Sequence, residues 1–224
     1  MGWSKEKARR IRNLAGITVA KRSKKHRNKT TPSEIIAPNN ALKPYIEYKD
    51  KEYPWIGASF NKMATESGAW VQDFTYISYR GTWVYLATVV ELLTRRILGW
   101  SVGLRHTKEL VHAALVNALS DNPAPPILHD DQGSEYLSYK MRETCERYNI
   151  QLSCSDPGNP WQNGFQESLF RGLKDEIGDP NRFNSLEELY EAIAGAIYYY
   201  NHKRIHTSLK MPPVSYYEKL MLTG

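Results

Sequence analysis

Cysteine is nearly absent from this chain. Its 224 residues hold two, Cys145 and Cys154, which form no CxxC pair and no zinc spacing with the six histidines. Neither a disulfide scaffold nor a structural zinc site is therefore expected. Long apolar runs are missing too: none reaches the roughly 18–20 residues that span a bilayer. The chain opens on basic and polar residues rather than on the apolar stretch of a secretory signal. The expectation is a soluble intracellular protein with no membrane partner. Disorder throughout is excluded, because hydrophobic residues make up 41% of the chain and aromatics 12%, enough to bury a core.

Acidic residues are scarce in one place. Residues 1–30 carry eleven Lys and Arg, with Arg22, Lys24, Lys25 and Arg27 in the densest run, against Glu6 alone. That stretch nets +10 where the whole chain nets +6, which leaves a body of −4. A basic arm on a near-neutral body attracts polyanions by counterion release, so nucleic acid is the expected partner. A solvated tail without a partner is the plainer alternative.

Residues 5–15 fit a short helix stopped by Gly16. Residues 32–58 contain Pro32, Pro38, Pro44 and Pro54 without periodicity. The organisation read from this is a basic arm over 1–31, a linker over 32–66 and a core over 67–224 with a helical C-terminal tail. WVQDFTYISY (70–79) reads as a strand, and further strands are expected over 82–92 and 95–104. The short links between them favour antiparallel neighbours. A helix over 107–119, a strand over 126–131, a helix over 137–149 and a strand over 150–155 come next. After a loop at 156–162, helices are expected near 163–178 and 185–203, the second opening on the capping pair Ser185 and Glu188. This order predicts an α/β fold, a mixed five-stranded sheet flanked by helices.

Three acids stand out. Asp73 sits mid-strand, where Asp is disfavoured, and shares a face with Val71, Thr75 and Ile77. Asp131 follows a short apolar strand, with Asp130 as its rival and ordinary turn chemistry as the alternative. Glu167 lies on one polar face of its helix with Asn163, Arg171 and Lys174, while Phe165, Leu169, Phe170, Leu173 and Ile177 form the core face. A capped, solvated helix with Asn163 and Gln166 as the capping pair is the plainer reading there. Taken together, the acids come from a strand middle, a strand end and a helix start. Such a cluster suits phosphoryl transfer, because Mg²⁺ prefers carboxylate oxygens and two ions can stabilise both oxygens of an in-line displacement.

WVQDFTYI, HDDQGSEY and PGNPWQNGFQESLFRGLKDE resemble the three acidic motifs of the DDE transposase and retroviral-integrase superfamily, with 35 residues between Asp131 and Glu167. YYNHKRIHTSLKMPPVSYYE (199–218) is similar to the tail that follows the last acid in insertion-sequence transposases. The resemblance implies an RNase H-like core whose first three strands are antiparallel and whose fourth and fifth run parallel to the first. It implies Asp73, Asp131 and Glu167 as catalytic metal ligands for two Mg²⁺ ions, with Mn²⁺ as a substitute, and it selects Asp131 over Asp130. Asn163 and Lys174 match positions that contact DNA near the reacting end, and residues 158–162 match an active-site loop. RIRNLAGI (10–17) resembles the end of a helix-turn-helix region, so an upstream helix-turn-helix partner or fusion product is expected. The implied protein is a prokaryotic, nucleoid-associated cytoplasmic transposase acting as a homo-multimer on element ends and target DNA. The alternatives are a nuclease on the same fold, a truncated non-catalytic DNA-binding or inhibitory fragment, and a plain basic DNA-binding protein.

Overall fold

A computed structural model of the chain describes residues 38–47, 59–60, 68–131, 133, 136, 138–156 and 164–223. The helix expected over 5–15, the basic run with Arg22, Lys24, Lys25 and Arg27, the loop 158–162 and Asn163 lie outside them. Within the stretch read as a linker, a 3-10 turn at Lys43–Tyr45 leads into strand β1 (Ile46–Glu47), which pairs antiparallel with β2 (Ser59–Phe60). Leu42, just before the turn, is wholly buried in the core. Part of that stretch therefore packs with the folded body. Two-residue strands are too short to show any alternation in sequence.

β3 (Trp70–Tyr79) and β4 (Thr82–Glu91) form an antiparallel hairpin in unbroken register from Trp70 opposite Glu91 to Tyr79 opposite Thr82. Arg80 and Gly81 turn the chain with φ of 45° and 80°, the positive values a two-residue hairpin loop needs. β5 (Ile97–Gly103) adds to β4 antiparallel. It starts later than the expected residue 95 because Arg95 takes a φ of 64° and donates its N–H to the Glu91 carbonyl, closing a turn. After helix α1 (Lys108–Asp121), β6 (Ile127–Asp130) runs parallel to β3. Helix α2 (Tyr139–Arg147) returns the chain to β7 (Gln151–Cys154), parallel to β6. The order β5-β4-β3-β6-β7 and its strand directions are those of the expected RNase H-like sheet.

Helices α3 (Gly164–Ile177), α4 (Leu186–His202) and α5 (Pro213–Thr223) complete the described chain. Alternation along β3 sends its residues to two cores. Val71, Ile77 and Tyr79 pack with Leu169, Phe170, Leu173 and Ile177 of α3 and with Leu189 and Ile193 of α4. Trp70 packs on the other side with Val111, Ala114 and Leu115 of α1 and Met141 of α2. Gly99 lets α1 lie directly on β5: a Cβ there would fall 2.3 Å from the Ala114 carbonyl oxygen and 2.4 Å from the Ala118 nitrogen. On the opposite side, Asn201 of α4 accepts from the Ile97 N–H and donates to the Ile97 carbonyl, both at 2.9 Å. Among the described residues, no helix is long and apolar enough to cross a membrane.

Candidate active site

Asp73 is the fourth residue of β3, on the face that α3 covers, and stands opposite Thr88 of β4. β6 places Leu128 beside Trp70 and His129 beside Val71. Continuing that register brings Asp131, the first residue past β6, level with Asp73 at about one strand spacing, ~4.8 Å. Glu167 lies in the first turn of α3, and the residue before it fixes its place. Gln166 is fully buried; its amide nitrogen donates to the Val71 carbonyl at 3.1 Å, and its Oε1 accepts from the Thr88 hydroxyl at 3.5 Å. The helix start is thus tied two residues before Asp73 and to the residue facing it. Gln166 directs its side chain into the sheet rather than into a cap.

Asp73 is half-buried. Burial is the main reason its carboxyl is pushed up to about 7. The Phe74 N–H, donated to Asp73 Oδ1 at 2.7 Å, opposes the rise, while the charges of Asp131 and Glu167 add to it. Asp131 is half-buried, and its Oδ1 accepts the Gly133 N–H at 3.0 Å. Glu167 is exposed. Among the described residues, no three acid, His or Cys side chains already converge tightly enough to hold a metal ion.

Asp130 has a different environment from Asp131. It is wholly buried and accepts from the Cys154 thiol at 2.9 Å, and burial raises its carboxyl well above the usual range. His129 is also wholly buried, with Nδ1 at 2.9 Å from the Ser153 hydroxyl and Nε2 at 3.1 Å from that of Ser155. Burial pushes it down to about 4, so it is a neutral structural residue bracing the strand before Asp131. Cys145 and Cys154 are buried free thiols. Arg171 and Lys174 are exposed on α3 beyond Glu167, and the Lys174 ammonium lies 5.2 Å from the centre of the Tyr76 ring. Asn163, Arg22, Lys24, Lys25 and Arg27 fall outside the described residues. Sequence reasoning missed Thr88 and the anchoring role of Gln166, and left His129 open between a DNA contact and a structural residue. Only Gln166 left a signal, as a polar residue on the apolar side of its helix.

Residues 64–160 match the family described as Integrase core domain, and residues 148–213 match a second family of the same description. The chain is 33% identical over 184 residues to the transposase for insertion sequence element IS904 of Lactococcus lactis, covering 77% of this chain and 73% of that protein. It is 36% identical over 154 residues to the IS600 uncharacterized 31 kDa protein of Shigella sonnei, covering 67% of this chain and 57% of that one. Among solved structures, the HTLV-2 integrase catalytic core domain in complex with magnesium superposes with a TM-score of 0.55 at 20% identity, covering 66% of this chain and 95% of that one.

Proposed function

This chain belongs to the integrase-core family of insertion-sequence transposases, and on that premise we propose that it cleaves DNA at the ends of a mobile element and joins the freed 3′-hydroxyl to target DNA. The observation that carries this reading is the meeting of three elements: the β3–β6 register runs on to bring Asp131 level with Asp73, and Gln166, next to Glu167, bonds the Val71 carbonyl and the Thr88 hydroxyl. Three carboxylates on three elements are a hard oxygen donor set, of the kind Mg²⁺ and Mn²⁺ take. A related fold is described with magnesium. Asp73, Asp131 and Glu167 are the residues that would hold two such ions. When bound, the ions supply positive charge to the attacking and leaving oxygens of an in-line displacement.

The protein's own groups do the rest. Burial holds the Asp73 carboxyl up to about 7, and it would have to be ionised to hold a cation. Gln166 holds the helix start against β3 and β4, and with it the place of Glu167. Arg171, Lys174 and the basic arm, including Arg22, Lys24, Lys25 and Arg27, hold phosphates, and Asn163 contacts DNA beside the reacting end. No side-chain nucleophile is required. The chain acts as a homo-multimer on DNA, in the bacterial cytoplasm at the nucleoid.

The test is a strand-transfer assay with the element's own flanking ends, in Mg²⁺ and in chelator. Joined product is expected with the metal alone. Asp73→Asn should keep the circular dichroism of the wild type and abolish joining; wild-type-like transfer by that variant would overturn the ligand assignment. Cutting without joining would make the chain a nuclease on this fold. Binding with neither would make it a non-catalytic or inhibitory DNA-binding protein.

A further inference from the structure

A second surface lies at the free edge of β3. β6 pairs with β3 only at Trp70 and Val71, so the rest of β3 runs on with no strand described on that side. There, on the face opposite to Asp73, Tyr76 and Trp83 pack edge to face with ring centres 5.0 Å apart, yet remain 54% and 47% exposed. Two large aromatics left half open side by side are an informative exception to burial. They border an open groove of about 380 Å³, also lined by Ser78, Ile177 and Pro180 and closed on one side by Lys174. The Lys174 ammonium sits over the Tyr76 ring.

The surroundings of the groove favour an anionic ligand with a flat apolar part. Exposed Arg80 stands at the hairpin turn, anchored by its N–H to the Asn181 side-chain oxygen and by its guanidinium to the Phe183 carbonyl. Asp179, the nearby acid, is engaged with the backbone and side-chain nitrogens of Asn181. The groove is at the small end of the pocket range, a size suited to one planar group. Two elements connect it to the acids along the backbone. Three residues of strand separate Asp73 from Tyr76 and seven of helix separate Glu167 from Lys174, and each interval spans about 10 Å.

We propose that this groove receives one unpaired DNA base, stacked on Tyr76 and Trp83, with its neighbouring phosphate on Lys174. The inference rests on the DNA-processing reading above and adds to it a site selective for unpaired strands. A base inside a duplex has both faces covered, so only a frayed, flipped or overhanging nucleotide can use the aromatic pair. Every base has such a face, so the site discriminates strandedness rather than sequence.

The experiment uses the full chain and two duplexes of one sequence, one blunt and one with a three-nucleotide single-stranded overhang carrying 2-aminopurine. Wild type should bind the overhang duplex on the order of tenfold tighter by fluorescence anisotropy, the scale of one stacked base, and should quench the 2-aminopurine. Trp83→Leu and Tyr76→Leu should each lose the preference and the quench, while Trp83→Phe keeps both. Melting curves identify any variant that fails to fold, and the wild-type quench decides the matter without one. Equal affinity of wild type for both duplexes overturns the inference and leaves the DNA reading standing, whereas binding to neither removes both. An intact preference in folded Trp83→Leu overturns it as well. A change in sedimentation with that preference intact would make the aromatic pair an interface between copies of the chain.

Discussion

At Asp73, burial and two neighbouring carboxylates hold the acid at about 7, against roughly 3.9 in an unfolded chain. A raised acid adds stability that is complete below the unfolded value and is lost as pH climbs through the folded one. Asp73→Asn removes that titration. It is expected to melt about 2–4 °C above wild type at pH 8, the shift that about 1 kcal/mol gives a chain of this size. The gap should close as pH falls toward 4, which thermal melts across pH will show. Equal melting at pH 8 would mean that folding does not oppose the ionised Asp73. Gln166→Leu is the complementary case. Loss of its two hydrogen bonds strands the Thr88 hydroxyl and the Val71 carbonyl, at a cost of about 1–3 kcal/mol in urea denaturation. Strand transfer should fall further than unfolding accounts for, by roughly 10–100-fold, because Glu167 loses its bearing. The sequence made Asp73 legible, since an acid in an aromatic strand is out of place. Asp130 and Asp131 were not separable by pattern, because only the parity of a four-residue strand decides which one is buried. Gln166 showed only as a polar residue on an apolar helix face; its partners, 95 and 78 residues away, left no mark in any local window.

The elements themselves were mostly written in periodicity. The alternation over 70–79 and the 3.6-residue pattern of α3 both correspond to the observed structure, because each face has one core to meet. The errors sit at ends and in short pieces. β5 begins late because a left-handed Arg95 completes a turn, and β1 and β2 are held by each other rather than by their own composition. Packing between elements is set by neighbours that no local window contains. At Gly99 the α1 backbone lies where a side chain would be. Gly99→Ala must therefore push α1 off β5, and a loss of about 1–3 kcal/mol is expected in urea denaturation. A neutral result would mean the helix can shift at no cost.

Across the whole molecule, charge is divided rather than spread: +10 in the first thirty residues and −4 in the rest. The body, net negative, therefore offers DNA little net attraction of its own. Removal of residues 1–31 should flatten the salt dependence of DNA affinity. The log–log slope should fall by about 0.9 for each phosphate that the shortened chain no longer neutralises, as measured by titrations at several salt concentrations. An unchanged slope would assign phosphate binding to the body.

β5 is the outer strand on its side of the sheet, and such a rim ordinarily offers its amides to any passing chain. The carboxamide of Asn201 fills one rung of it, taking both the N–H and the carbonyl of Ile97 as a visiting strand would. A foreign backbone finds that rung occupied, so copies crowded along one stretch of DNA can touch there without merging their sheets into an aggregate.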